Sequence, residues 1–140
     1  MKVLVDTGVW SLAFRRRAKD LSTEQEVCKK ELAELLHEGR AQILGAIRQE
    51  LLCGFHEESQ FQILRDHLRL FPDEVPYQDD YEEAARIHNR CRAAGVSGSP
   101  VDFLICAVAL RRDWGILSLD LDFQHYSKVV PLNLYTPRVP

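Results

Sequence analysis

The 140-residue sequence lacks an apolar run that could cross a membrane. Its longest uninterrupted apolar run covers residues 103–110, whereas a membrane-spanning helix needs about 20 residues. At the N-terminus the apolar stretch stops after Val5, which is far short of the core of a signal peptide. These two absences lead us to expect a cytoplasmic protein that does not engage a membrane.

An excess of positive charge is also absent, because 18 basic residues face 21 acidic ones, a net charge of −3. This balance does not imply a strong general affinity for nucleic acid, so such an activity needs a local basic patch or a metal. Cys-x-x-Cys pairs are missing as well. Each cysteine lies in a helix-like apolar pattern, which predicts buried free thiols rather than a zinc site or a disulfide. The cysteines are Cys28, Cys53, Cys91 and Cys106.

Apolar residues make up 46% of the sequence, enough to bury the core of one domain covering residues 1–140. Short apolar strands alternate with helices, which predicts an α/β domain with a central, mainly parallel sheet of four to five short strands flanked by helices. Strands are predicted over residues 3–5, 42–44, 115–119 and 129–132, with a candidate edge strand around Val75. Helices are predicted over residues 7–14, 23–38, 46–55, 60–71, 81–94 and 101–111.

Acidic residues stand where two of the predicted strands end. Asp6 directly follows the first strand, Asp120 directly follows the strand over 115–119, and Asp122 comes two residues later. The carboxyl ends of parallel strands meet at one edge of a sheet, which is where sites form in such folds. Asp102 near the start of the sixth helix and Glu50 inside the third can converge on the same edge.

Carboxylates packed together repel one another, and some of them hold protons to relieve the repulsion. A divalent cation removes that cost, and a set of oxygen ligands selects hard ions such as Mg²⁺ or Mn²⁺. Such an ion can present an activated water to a phosphodiester and neutralise charge on the phosphate. An acidic edge filled by metal is therefore compatible with a polyanionic substrate.

Each of these acids also has an ordinary structural interpretation. Asp6 can cap the helix that follows it. Asp102 fits a capping box in which Ser99 is the N-cap and Pro100 is the first helical residue. The remaining acids can be a helix surface residue or turn formers: Glu50, Asp120 and Asp122. If the strand continues past residue 119, Asp120 and Asp122 point to opposite sides and only one of them faces the metal.

Four segments, in chain order, resemble the four motifs of the PIN-domain family. Residues 5–10 (VDTGVW) carry an Asp-Thr pair after the first strand, and residues 47–54 (IRQELLCG) carry a Glu on a helix. Residues 100–107 (PVDFLICA) place an Asp at the start of an apolar helix, and residues 117–123 (LSLDLDF) resemble the fourth motif. Gly8 stands where Ser is common in the family, and Ser118 replaces the commoner Thr.

In size and in the absence of added domains, the chain looks most like VapC-type toxins of type II toxin–antitoxin systems. That resemblance implies an endoribonuclease dependent on Mg²⁺ or Mn²⁺, neutralised by a small VapB-like antitoxin and often a homodimer. It implies that the catalytic, metal-binding acids are Asp6, Glu50, Asp102 and Asp120, with Asp122 as a further metal ligand. The hydroxyls of Thr7 and Ser118 are then expected to position these acids, the bound water or the substrate.

Contacts to RNA are expected from a basic run after the first helix. Arg15 and Arg16, with Arg17 and Lys19 behind them, either hold the RNA backbone or form a solvated charge run. Trp10 faces the core or a partner, or else stacks on a base. One face of the second helix forms either core or a groove for an antitoxin helix: Val27, Leu32, Leu35 and Leu36.

Other functions fit the sequence less well. A receiver-like protein needs an acidic pair at the first strand and a late lysine, whereas Asp6 is single and Lys128 is the only late lysine. Glycine-rich phosphate-binding motifs are absent, which disfavours a nucleotide-binding domain. None of the histidines falls in a catalytic pairing. Two alternatives stay open: a PIN nuclease of housekeeping RNA processing, and a non-catalytic module that binds protein.

Overall fold

The computed structural model describes residues 1–14 and 20–138. The strands are β1 (Val3–Val5), β2 (Ala41–Leu44), β3 (Asp73–Glu74) and β4 (Gly115–Leu117). The helices are α1 (Thr7–Phe14), α2 (Thr23–His37), α3 (Gly45–Cys53), α4 (Glu58–Leu68), α5 (Gln78–Ala93), α6 (Pro100–Arg112) and α7 (Asp122–Ser127). The strands form one parallel sheet in the order β3-β2-β1-β4, flanked by the seven helices of the described ranges.

Strand β1 lies at the centre of the sheet and decides which side chains meet at its edge. It pairs with β4 so that Val5 lies opposite Leu117. The N–H of Asp6 extends this pairing by donating to the carbonyl of Leu117 at 3.0 Å. Asp6 and Ser118, the next residue on each strand, therefore leave the sheet side by side.

The core lies on both faces of the sheet, and β1 and β4 are completely buried. The sequence of helix α6 accounts for its position, because the helix is apolar on nearly every side. It is buried from Phe103 through Ala109. A helix that is apolar all round belongs in the interior. The first turn of α6 is the part that reaches the sheet edge, and it carries Asp102.

The strand predicted over residues 129–132 is wrong. A single parallel bridge between Ile116 and Leu134 stands in its place. Pro131 has no N–H to give to a ladder, and the N–H of Val130 is taken by the carbonyl of Tyr126. The segment before it, for which neither a helix nor a strand is predicted, is the short helix α7, and β4 ends at Leu117 rather than at residue 119.

Side-chain burial decides several open alternatives. Trp10 is fully buried and its indole N–H donates to the carbonyl of Val5, which excludes the base-stacking role. On α2, Leu32 and Leu35 belong to the core. Cys53 is exposed at the last residue of α3, so the prediction of a buried thiol is wrong there and holds for the other three cysteines. No helix of the described ranges is long and apolar enough to span a membrane.

Candidate active site

The acidic residues singled out in the sequence all line one cavity of about 640 Å³ at the carboxyl edge of the sheet. They come from the ends of β1 and β4, from α3, from the first turn of α6 and from the start of α7. We call this space the acidic cavity, defined by its carboxylates: Asp6, Glu50, Asp102, Asp120 and Asp122. Its walls also include the loop over residues 97–99.

Asp6 is the most deeply buried of these acids, with 9% of its surface exposed. Its Oδ1 accepts the N–H of Thr7 and its Oδ2 accepts the hydroxyl of Ser118, each at 2.8 Å. Burial raises the pKa of Asp6 to about 6; these two hydrogen bonds oppose the rise, and the charges of Asp102 and Asp120 add to it. A cation beside Asp6 would stabilise the ionised carboxylate and so offset the cost of burying its charge.

Ser118 connects two of the acids across the end of β4. Its hydroxyl donates to Asp6 and at the same time accepts the N–H of Asp120 at 3.0 Å. Serine therefore supplies the oxygen that the commoner threonine would supply, without filling the space of a methyl group. The contact joins residues that are 112 positions apart in the chain.

Helix α6, which carries Asp102 in its first turn, begins in the manner predicted, although only half of the capping box forms. The side chain of Ser99 accepts the N–H of Asp102 at 3.1 Å, and Pro100 is the first helical residue. The carboxylate of Asp102 accepts the hydroxyl of Tyr126 at 2.7 Å. Burial raises the pKa of Asp102, and repulsion from Asp120 and Asp122 adds to that rise.

Three of the carboxylates come close enough to share one ion. One oxygen each of Asp102, Asp120 and Asp122 lies within 4.8 Å of the others. Asp120 and Asp122 would point apart only if the strand continued past residue 119. It does not, because β4 ends at Leu117 and a helix begins at Asp122. The N–H of Asp122 donates to Asp120 at 2.9 Å, which holds the turn between them.

Glu50 also lines the cavity from α3 and is exposed. Its Oε2 accepts the hydroxyl of Thr7 at 2.7 Å. Glu50 and Asp6 line the acidic cavity but do not belong to the group of three close carboxylates. Arg15 and Arg16, the predicted RNA contacts, lie outside the described residues.

Two residues of the site escaped the sequence analysis, Tyr126 and Gly98. Tyr126 is fully buried on α7, and its hydroxyl reaches Asp102 from beneath the cavity. A methyl group on Gly98 would collide with that hydroxyl and would lie 2.8 Å from the ring of Phe103. The available signal was helical spacing, because Phe123 and Tyr126 are three residues apart and form the buried face of α7.

Solved structures of bacterial complexes have the fold of this chain. FitAcB from Neisseria gonorrhoeae has a TM-score of 0.75 at 18% identity, over 96% of this chain and 97% of that chain. VapBC2 from Rickettsia felis, bound to a promoter DNA fragment, has a TM-score of 0.72 at 15% identity, over 96% and 98%. A toxin–antitoxin complex from Klebsiella pneumoniae has a TM-score of 0.68 at 18% identity, over 99% and 100%.

The family relationship is shown by sequence. The family model of the PIN domain matches residues 3–129. This range runs from the first residue of β1 to beyond α7 and contains every carboxylate of the acidic cavity. The chain therefore belongs to the PIN domain family.

Proposed function

We propose that this PIN domain is an endoribonuclease that depends on Mg²⁺ or Mn²⁺ and hydrolyses RNA phosphodiester bonds. PIN domains are generally nucleases, and PIN nucleases typically use a divalent metal. The observation that carries the proposal is the close approach of Asp102, Asp120 and Asp122 in a cavity that Asp6 and Glu50 also line. A counter-ion would relieve the repulsion between carboxylates this close, and it would also offset the charge of a polyanionic substrate.

The donor set fits a hard divalent ion. The carboxylates supply oxygen ligands only, and neither histidine nor cysteine lines the acidic cavity among the described residues. Oxygen ligands with room for waters suit Mg²⁺ and Mn²⁺. When bound, such an ion supplies an activated water and neutralises charge on the phosphate.

The protein's own contribution is to hold these carboxylates in place. Ser118 fixes Asp6, Thr7 fixes Glu50, and Tyr126 fixes Asp102, each through a hydrogen bond of 2.7 to 2.8 Å. Hydrogen-bond partners of this kind orient metal ligands. At other metal sites their loss typically lowers metal affinity or activity by about 10- to 100-fold. The described lining offers no side-chain nucleophile of the histidine or cysteine type, which supports attack by water.

Within the nucleases, we propose the VapC toxin type, as a single domain over residues 1–140 that acts in the cytoplasm. The support is the likeness of fold to complexes described as VapBC2 and as a toxin–antitoxin complex, over 96% to 99% of this chain. A small antitoxin that covers the acidic cavity is the proposed inhibitor, and a homodimer is the proposed assembly. A housekeeping RNA-processing nuclease is the alternative within the same chemistry.

The test is cleavage of a mixed RNA pool by the purified protein with Mg²⁺, with Mn²⁺ and with EDTA. Asp120→Asn and Asp6→Asn remove carboxylates of the acidic cavity. Asp66→Asn is the matched control, because Asp66 is exposed on α4 and does not line that cavity. We expect metal-dependent cutting by the wild type and by Asp66→Asn and loss of cutting in the other two variants.

Equal cutting by every variant would point to a contaminating nuclease and contradict the carboxylate assignment. If none of the proteins cuts, expression in cells separates the remaining alternatives. Toxicity that disappears in Asp120→Asn would support a selective toxin. The absence of toxicity together with the absence of metal binding would support the non-catalytic module.

A further inference from the structure

A second cavity of about 300 Å³ lies against the acidic cavity. The two spaces share the lining residues Ser97 and Gly98, which form the wall between them. The lining of the second space includes one arginine, one histidine and no carboxylate among the described residues. We call it the basic cavity, defined by its lining: His88, Arg92, Gly95, Val96, Ser97 and Gly98.

Local structure explains why these side chains reach the basic cavity. His88 and Arg92 are four residues apart on α5 and therefore lie on the same face of that helix. The helix ends at Ala93, and Gly95, two residues later, has a φ of 77° that lets the chain reverse toward the start of α6. The ring of His88 packs edge-on against Phe103 with 5.2 Å between ring centres, so the imidazole is held beside the wall.

Some arginines of α5 and α6 bind an acid, whereas Arg92, like Arg90, has no acidic partner among the described residues. On α5 and α6, Arg86 pairs with Glu83, and Arg111 and Arg112 both pair with the buried Asp80. Arg92 is exposed and forms neither an ion pair nor a side-chain hydrogen bond within residues 1–14 and 20–138. Its charge is therefore free for an anion from outside the chain.

The wall between the cavities includes a glycine that cannot be replaced by a larger residue without a clash. A methyl group on Gly98 would collide with Tyr126 and Phe103, as described above. The hydroxyl of Ser97, which borders both cavities, forms no hydrogen bond with another described residue. The segment that separates the two cavities thus offers a hydroxyl without a described partner at the border of both.

We propose that the basic cavity is a phosphate-binding subsite in which Arg92, assisted by His88, holds the single-stranded RNA next to the bond that is cut. This inference rests on the proposed nuclease function and adds to it the path of the substrate. Carboxylates repel every phosphate except the one that a metal neutralises, so a neighbouring phosphate needs a cation outside the acidic cavity. Arginine binds phosphate through two parallel hydrogen bonds and is suited to that task.

The test compares Arg92→Ala with Arg90→Ala in the full chain. Both arginines are exposed on α5 and both substitutions remove one positive charge, but Arg90 does not line the basic cavity. Binding of a fluorescein-labelled single-stranded RNA pool is measured by anisotropy in EDTA, over a series of salt concentrations. Cleavage of unlabelled RNA is then measured with Mn²⁺.

We expect Arg92→Ala to weaken RNA binding about tenfold, the order expected for one charge-assisted contact. The slope of log affinity against log salt should fall by about 0.7, the value for one lost phosphate contact on a single strand. In cleavage, KM should rise while kcat at saturating RNA stays unchanged, because Arg92 does not touch the metal ligands. Arg90→Ala should bind and cut like the wild type.

Equal weakening by the two substitutions, or no weakening by either, would overturn the subsite and leave the proposed function standing. Wild-type protein that binds RNA but fails to cut it with Mg²⁺ or Mn²⁺ would overturn the nuclease proposal while the binding comparison still decides the subsite. A change in kcat rather than KM in Arg92→Ala would assign Arg92 to the reaction itself and contradict a role in holding the strand.

Discussion

The hydroxyl of Tyr126 donates a hydrogen bond to Oδ2 of Asp102 at 2.7 Å, although the tyrosine is fully buried. The ring is held by Phe103 and Phe123, whose centres lie 5.2 and 5.3 Å from its own. Burial raises the pKa of Tyr126 above its ordinary value, and the charge of Asp102 raises it further, so the phenol remains a donor. A rigid aromatic cluster thus fixes the direction of one carboxylate of the acidic cavity.

Tyr126→Phe should weaken Mn²⁺ binding about 10- to 100-fold while the protein stays folded, because the substitution removes only the oxygen that orients Asp102. The measurement is isothermal titration with Mn²⁺, with urea unfolding as the check on stability. Tyr81→Phe is the matched control, since Tyr81 is exposed on α5. Equal affinity of the two variants would contradict a positioning role for the hydroxyl.

Gly98→Ala should destabilise the fold by about 1 to 3 kcal/mol, the usual cost of forcing an extra methyl group into a packed site. The new methyl group meets the Tyr126 hydroxyl and the Phe103 ring, and neither lies at the end of a flexible chain. Gly8→Ala serves as the comparison, because a methyl group there has nothing within 4 Å and lies in α1. Urea unfolding of both variants measures the difference, and Gly8→Ala should not lose stability.

Asp6 should make the metal-free protein less stable as the pH rises. Its pKa is raised from 3.8 to about 6 by burial, so the folded state holds a proton that the unfolded state has lost between these values. The cost is absent below pH 3.8, grows as the pH rises to 6, and amounts to about 3 kcal/mol at pH 7. Asp6→Asn should therefore be more stable than the wild type at pH 7.5 in EDTA.

The stability gain of Asp6→Asn should shrink at pH 4.5, where the folded wild type has its Asp6 carboxyl protonated. Urea unfolding at the two pH values, both in EDTA, measures the change. Asp66→Asn, at an exposed position, provides the control for removing one acid. A gain of the same size at both pH values would show that the buried charge of Asp6 is not its origin.

Arg138→Ala should destabilise the fold at neutral pH, because it leaves the carboxylate of Glu31 without its charged partner. Glu31 is 4% exposed, and its Oε1 accepts from the Arg138 guanidinium at 2.7 Å. Hydrogen bonding from Arg138 lowers the pKa of Glu31, so its contribution is present above the unfolded value of 4.5 and disappears as the pH falls through the lower folded value.

Thermal unfolding of Arg138→Ala and wild type at pH 7 and at pH 3 measures this contribution. The difference in stability should be larger at pH 7 than at pH 3, because below the unfolded pKa of 4.5 the unfolded chain takes up a proton at Glu31 and the contribution of the ion pair falls. Arg65→Ala is the control, because Arg65 pairs with Asp66 on the surface of α4 and such pairs contribute little. A difference that does not change with pH would exclude the ion pair as its source.

Local rules in the sequence were sufficient for much of the fold and for the positions of the acids. A short apolar run that ends in an acid predicts a buried strand with a carboxylate at its end, which is how Asp6 is placed. Ser99 followed by Pro100 predicts a helix start, and α6 begins at Pro100. These features depend on neighbours within a few residues, and so they can be inferred without the rest of the chain.

Elements that depend on packing could not be inferred in the same way. Residues 129–132 have the apolar character of a strand, but the carbonyl of Tyr126 takes the N–H of Val130. Cys53 fits the apolar pattern of α3 and is nevertheless exposed at its end. Each outcome depends on which backbone or side chain is nearest in space, and the periodicity of one segment does not contain that information.

The sequence by itself determined which chemical groups stand at the carboxyl edge of the sheet, because each acid follows from the element on which it lies. Only the tertiary structure decided how those acids are held. Thr7 reaches Glu50 across 43 positions and Ser118 reaches Asp6 across 112. Such pairs form because parallel pairing of β1 with its neighbours brings distant chain segments to one edge, and hydrogen bonds act only over about 3 Å.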